Sequence, residues 1–253
     1  MRRFLLYVLA VGLLLTLPAG CFPRAVSPIP VVEYDRTEAS QQRNLLVLLR
    51  GLGGNVDDFE TYGIVAEVRN RGLPFDIVVP DAHSGYYRSE TIEERLKQDV
   101  IDPARARGYR QIWLAGFSMG GLGSLFYIRK YPLDIDRVIL CSPFLGWSSI
   151  RGELRRAGGV SSWEPEEHGD SDWQELIWKW IKEYGQVDGA GYPPIYLGYG
   201  TGDILTGDGP ALLAEVLPPG RVFTRPGNHT YQTFRTIWLA HLDRLDPELK
   251  LLP

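Results

Sequence analysis

Six runs along the chain are apolar at nearly every position: residues 45–49, 75–79, 112–115, 137–141, 194–197 and 222–224. Unbroken apolar runs of this length suit strands covered on both faces, whereas a strand with one wet face alternates. Between the runs lie helix-patterned stretches at 56–71, 91–107, 119–130, 211–216 and 231–245. Pro103 falls inside the second of these and predicts a kink or an early end there. Strands alternating with helices predict an α/β fold, a mostly parallel sheet with helices on both faces. A short strand candidate at Val31–Tyr34 follows a Pro- and Ser-rich stretch, so residues 21–43 are expected to form a tether and an edge strand ahead of the main domain at 44–253.

The alternation fails once. After the run that ends at Cys141, residues 144–191 show no buried strand, and this segment holds Trp147, Trp163, Trp173, Trp178 and Trp180. Ser171-Asp-Trp-Gln174 has the spacing of a capping box, and Trp173, Ile177, Trp180 and Tyr184 recur on one helical face. A helical insertion is predicted, either a cap over a site or an amphipathic helix packed on the body.

The chemistry centres on Ile112-Trp-Leu-Ala-Gly-Phe-Ser118-Met-Gly-Gly, where an apolar run breaks at Gly116 and helix formers follow from Met119 up to Pro132. Strand, tight turn and helix place Ser118 between Gly116 and Gly120 as G-x-S-x-G, with small neighbours that let the turn close and present the hydroxyl. A carboxylate follows the 194–197 run in Gly200-Thr-Gly-Asp203, with Asp208 as the alternative one loop further on. Arg225-Pro-Gly-Asn-His229 brings a histidine to the same edge of the sheet. Among the four histidines, His83 also follows a strand end, while His168 sits in the insertion and His241 on a helix read as polar. His229 alone follows both Ser118 and Asp203, in the order nucleophile, acid, base.

With these motifs the chain resembles the α/β-hydrolase fold family from about Leu45 to Leu245. The resemblance implies a serine hydrolase cleaving carboxylic esters through an acyl-enzyme, with peptidase, thioesterase or acyltransferase chemistry, or a non-catalytic binding protein, as the alternatives on the same scaffold. It also implies an oxyanion hole from the Leu52 and Met119 N–H groups, by the match of Arg50-Gly-Leu-Gly-Gly54 to the family's His-Gly-x-Gly-Gly loop. Arg50 stands where the family usually has His. It is expected to brace the loop by pairing with Asp57 or Asp58, or else to bind a substrate carboxylate.

Composition narrows the rest. A net charge of -4 without a Lys/Arg run gives no footprint for nucleic acid. No metal or cofactor is called for, since no His/Cys cluster is present and the glycines at 51–54 lack the Lys-Ser/Thr of a phosphate loop. Arg2 and Arg3 precede an apolar stretch to Leu17, too short for a spanning helix, which marks residues 1–20 as a signal peptide. Leu17-Pro-Ala-Gly-Cys21 resembles a bacterial lipoprotein signal, with Pro18 where an aliphatic residue is usual. This implies an exported protein held to the membrane by a lipid on Cys21, a secreted form being the alternative. With Cys21 so used, Cys141 has no disulfide partner and is expected to be a small core residue.

Overall fold

The computed structural model describes residues 23–35, 43–165 and 172–249, so Cys21, His168 and Ser171 lie outside the described residues. One sheet contains β1 Val31–Tyr34, β2 Arg43–Leu49, β3 Phe75–Pro80, β4 Tyr109–Phe117, β5 Arg137–Cys141, β6 Ile195–Gly200 and β7 Val222–Arg225, ordered β1-β3-β2-β4-β5-β6-β7. Only β1 runs antiparallel, pairing Val31 with Pro80 at the carboxyl end of β3. In chain order the helices are α1 Asp58–Thr61, α2 Ile64–Asn70, α3 Ser84–Arg88, α4 Ile92–Leu96, α5 Asp102–Ala106, α6 Met119–Lys130, α7 Ser148–Arg156, α8 Trp173–Gln186, α9 Gly209–Ala214 and α10 Tyr231–Leu249.

The period of two along each strand divides the core between the two faces of the sheet. Leu45, Val47, Leu49, Ile112, Leu114, Val138 and Leu140 point to one face, where α4, α5, α6, α8 and α9 cover them. Leu46, Leu48, Trp113, Ala115, Phe117 and Ile139 point to the other, under α1, α2 and α10. Both faces of β2 to β5 are therefore dry, which is why these strands read as unbroken apolar runs. Cys141 is fully buried at the end of β5, and burial pushes its thiol well above the ordinary range, so it is inert core.

Several elements differ from their sequence patterns. The 56–71 stretch is two helices, because Gly63 adopts a left-handed φ of 75° between them. At Pro103 the helical path does not end: a π-helical stretch, Lys97–Ile101, interrupts it and leads into α5, with Pro103 in the first turn of α5. The wider turn removes the demand for an N–H at residue 103 and gives the ring room. The cap of α8 is Asp172, whose Oδ1 accepts from the Gln174 N–H at 2.8 Å, one residue later than the capping-box reading on Ser171. That helix packs on the body: Ile177, Trp178 and Ile181 are fully buried, and Trp178 Nε1–H donates to Leu145 O at 2.8 Å. Residues 23–30 are not a free tether. The Val26 backbone exchanges hydrogen bonds with the Tyr86 hydroxyl, and the Ile29 N–H donates to Asp99 Oδ2 at 2.8 Å with its side chain buried.

Candidate active site

After the edge strand β1 the chain lays down β2, adds β3 on one side and then crosses to β4 on the other. Such a reversal leaves a crevice at the carboxyl ends of the two diverging strands. Leu49 pairs with Gly116, so the loop after β2 lies beside the turn after β4. A Cβ on Gly51 would sit only 3.1 Å from Ser118 Cβ.

Ser118 occupies φ 53° and ψ -117°, a strained conformation for a residue with a side chain. Neighbouring contacts hold it there. Its N–H donates to Cys141 O at 3.1 Å, and its carbonyl accepts from the Gly121 N–H at 2.9 Å and the Phe144 N–H at 3.0 Å. The flanking glycines are steric requirements: a Cβ on Gly116 would lie 2.4 Å from Gly120 O, and one on Gly120 2.0 Å from Leu49 O. Any larger residue would push α6 off the strands and unmake the turn.

The structure brings Ser118, His229 and Asp203 together. His229 Nε2 lies 2.8 Å from Ser118 Oγ and its Nδ1 2.7 Å from Asp203 Oδ2. An ionised carboxylate only accepts, so Nδ1 carries the proton and Nε2 is left to accept from the serine hydroxyl. Asp203 Oδ1 accepts from the Leu205 N–H at 3.2 Å and the Thr206 N–H at 3.1 Å. Burial alone would raise the Asp203 pKa, but the hydrogen bonds from His229 and Thr206 outweigh it, leaving the carboxyl below its usual range. The acid and base loops are pressed together: Gly202 N–H donates to Gly227 O at 2.8 Å, and a Cβ on Gly200 would lie 2.6 Å from the same oxygen. Phe234 packs edge-to-face with the His229 ring at 4.9 Å between centroids.

The other candidates go elsewhere. Asp208 is bound by Arg151 at 3.0 Å and Arg155 at 2.7 Å, on the insertion side. His83 caps α3, its Nδ1 accepting from the Gly85 N–H at 3.1 Å. His241 is not on a polar surface but buried, with Nε2–H donating to Leu140 O at 3.2 Å, and desolvation pushes its pKa down to about 3.

Of the oxyanion-loop residues, Leu52 is exposed at the tip of the loop after β2, and Met119 opens α6 directly after Ser118. Among the described residues no backbone acceptor takes the Leu52 or Met119 N–H. Arg50 pairs with neither Asp57 nor Asp58. Its Nε and Nη2 both donate to Asp81 Oδ1, at 3.0 and 2.8 Å, and Nη1 reaches across the loop to Gly54 O. Asp81 follows β3, the neighbour of β2, so strand order supplies a partner that sequence proximity does not. Asp58 is engaged locally, accepting from the Asn55 N–H at 2.7 Å and from Tyr231. Sequence reasoning also missed Tyr87, whose hydroxyl donates to Met119 O at 3.1 Å and anchors the first turn of α6 from α3. No sequence signal marked it.

Residues 44–164 match the family model described as alpha/beta hydrolase fold. Lipase 1 of Psychrobacter immobilis is 30% identical over 114 residues, 41% of this chain but only 33% of the lipase, so the match spans about a third of that relative's length. Among solved structures, S-formylglutathione hydrolase FrmB of Staphylococcus aureus superposes with a TM-score of 0.60 at 16% identity, covering 82% of this chain and 83% of that one. FphF, a fluorophosphonate-binding serine hydrolase of the same organism, gives 0.56 at 15% identity over 88% and 90%. Est1E of Butyrivibrio proteoclasticus gives 0.56 at 14% over 88% and 98%. At such identities the likeness is one of fold, and together with the sheet order and the strained turn at Ser118 it establishes that this chain has the α/β-hydrolase fold.

Proposed function

We propose that the chain is a serine hydrolase that cleaves carboxylic esters through an acyl-enzyme. The observation that carries this is the unbroken hydrogen-bonded line from Ser118 through His229 to Asp203. In this reading His229 Nε2 takes the Ser118 proton as Oγ attacks the ester carbonyl. The Leu52 and Met119 N–H groups receive the oxyanion, and Asp203 holds the imidazole in the productive tautomer and offsets its positive charge. His229 then returns the proton to the departing alkoxide, which leaves as alcohol. Water enters, gives its proton to His229 and attacks the acyl carbonyl; the proton passes back to Ser118 as the acid departs. Phe144, bonded through its N–H to Ser118 O, packs against Trp147 and Trp173, and Trp173 against Phe126, an apolar cluster beside the nucleophile.

The match to a lipase favours esters over the other acyl groups this scaffold handles. A panel of esters, thioesters and aminoacyl amides offered to the full chain tests the choice. Esters should give the highest kcat/KM; faster turnover of thioesters or amides would reassign the substrate class and leave the roles of the three residues intact.

The proposed location is the cell envelope, with Cys21 as the lipidated N-terminus after loss of residues 1–20. Support comes from Arg2, Arg3, the short apolar stretch and Leu17-Pro-Ala-Gly-Cys21. Mass spectrometry of the mature N-terminus should find a diacylated Cys21, and an unmodified chain beginning elsewhere would contradict it.

A further inference from the structure

The two edges of the sheet differ in what they show to solvent. The amino edge is largely ion-paired, with Leu133 and Val187 exposed singly: Arg105 meets Asp136 at 3.4 Å, Lys97 meets Asp134 at 2.8 Å and Arg107 meets Glu33 at 3.2 Å. The carboxyl edge exposes large apolar side chains on the loops that build the site. Leu52 after β2 is 67% exposed, Trp147 after β5 61%, and Ile204 and Leu205 after β6 92% and 54%. Large apolar side chains gathered on one edge around a crevice mark a contact surface, where scattered ones would not.

The path of the chain says what that surface meets. β1 starts opposite Pro80, at the carboxyl end of β3, so the segment before it runs along the carboxyl edge. Pro23 lies against Gly85 in α3, where a Cβ would come 2.2 Å from Pro23 O, and the hydroxyl of Tyr87 in the same helix reaches Met119 beside the nucleophile. Only Phe22 separates Pro23 from Cys21, two steps of chain and at most about 7 Å when extended. A spacer packed against the body cannot swing the domain away from its anchor.

We propose that the carboxyl edge docks on the lipid leaflet that holds the Cys21 acyl chains, so that Ser118 opens toward the bilayer and draws esters from it. The proposal rests on the lipoprotein reading for its anchor and on the hydrolase reading for its consequence. Leu52, Trp147, Ile204 and Leu205 enter the interface, while the ion-paired edge faces water. Amphipathic surfaces bind bilayers in this way, and a covalent lipid supplies the second signal that stable attachment requires.

The test uses the full chain in vesicles of phosphatidylcholine with brominated acyl chains. Trp147 emission should be quenched by the bromines, and Trp147→Phe should remove most of the lipid-dependent quenching, since Trp113, Trp163, Trp178, Trp180 and Trp238 are buried and Trp173 is half-buried. Ile204→Glu should lower hydrolysis of a vesicle-embedded long-chain ester by roughly tenfold or more, the scale of burying one large apolar side chain, and leave a water-soluble acetate ester within about twofold. Leu133→Glu, equally exposed between α6 and β5, should change neither rate. A diacylated Cys21 with unquenched Trp147 overturns the docking and leaves the anchor standing, whereas an unmodified N-terminus overturns both. Equal losses on both esters in Ile204→Glu place that residue in the site and overturn the docking. Trp147 shielded from aqueous acrylamide but not quenched by lipid assigns the rim to a protein, a second copy of this chain included, and also overturns it. Absence of any ester turnover, with Trp147 quenched, sinks the hydrolase reading alone.

Discussion

At the carboxyl edge, buried polar side chains meet polar partners across loops far apart in sequence: Asp203 with His229, His229 with Ser118, Arg50 with Asp81. In the insertion the side chains that disappear from solvent are mostly apolar, Ile177, Trp178 and Ile181 of α8 and Leu154 of α7 among them, set against the face already covered by α6. The first region holds strained backbone and desolvated charge, both of which cost stability. The second supplies packing. Substitutions in the two should therefore fail in opposite ways, activity without fold in one and fold without chemistry in the other.

Asp203→Asn gives the largest contrast. It should lower kcat on the order of 10⁴-fold by favouring the wrong imidazole tautomer, with the melting temperature little changed. Asp208→Asn, which loses only half-exposed ion pairs to Arg151 and Arg155, should stay within about threefold of wild type. Steady-state kinetics on both variants checks this, and the reverse ranking would move the acid to Asp208. On the packing side, Trp178→Ala should cost about 3–5 kcal/mol of unfolding free energy by leaving a cavity and an unpaired Leu145 carbonyl. Urea denaturation measures that loss, while kcat of the molecules still folded should hold.

The elements differ in how openly the sequence announced them. The 137–141 strand and the 119–130 helix emerge with the bounds their patterns predict, because β5 is dry on both faces and because Pro132 and the turn at Ser118 delimit α6. α7 escaped notice because Ser148–Arg156 is mostly charged or polar, with only Ile150 and Leu154 buried. The order Ser118, Asp203, His229 could be read because each follows a recognisable strand. Asp81 could not be assigned to Arg50, nor Tyr87 to Met119, because those contacts depend on which strand lies beside which, and that order is a tertiary fact.

Arg50 belongs to the first region, a structural ion pair with Asp81 beside the site. Arg50→Gln frees the loop that carries Leu52, the proposed oxyanion donor, so kcat should fall about 10²-fold, the scale of losing one such donor, with KM nearly unchanged. Affinity for a boronate analogue of the tetrahedral intermediate should drop in parallel. Arg50→Lys keeps the charge without the forked geometry and should recover only part of the loss. A purely structural Arg50 would lower the melting temperature and leave analogue binding intact.

The last contrast concerns pH. Folded His241 is held at about 3, below its ordinary 6.5, by burial, which the Arg244 and Arg225 charges reinforce. Between those values the unfolded chain binds the extra proton, so stability is full above about 6.5 and falls as pH drops, by up to about 1.4 kcal/mol per unit. His241→Gln should flatten that slope in denaturation measured at pH 7, 5.5 and 4, and an unchanged slope would place the titrating group elsewhere.

The central claim is that Ser118 is a nucleophile activated by His229, and covalent labelling tests it most directly. The full chain, treated with a fluorophosphonate and digested, should carry one phosphonyl group on the peptide containing Ser118. Ser118→Ala should carry none there, and labelling of His229→Ala should slow by several orders of magnitude. Wild-type protein that stays unlabelled at Ser118, or that labels at the same rate without His229, would contradict the account.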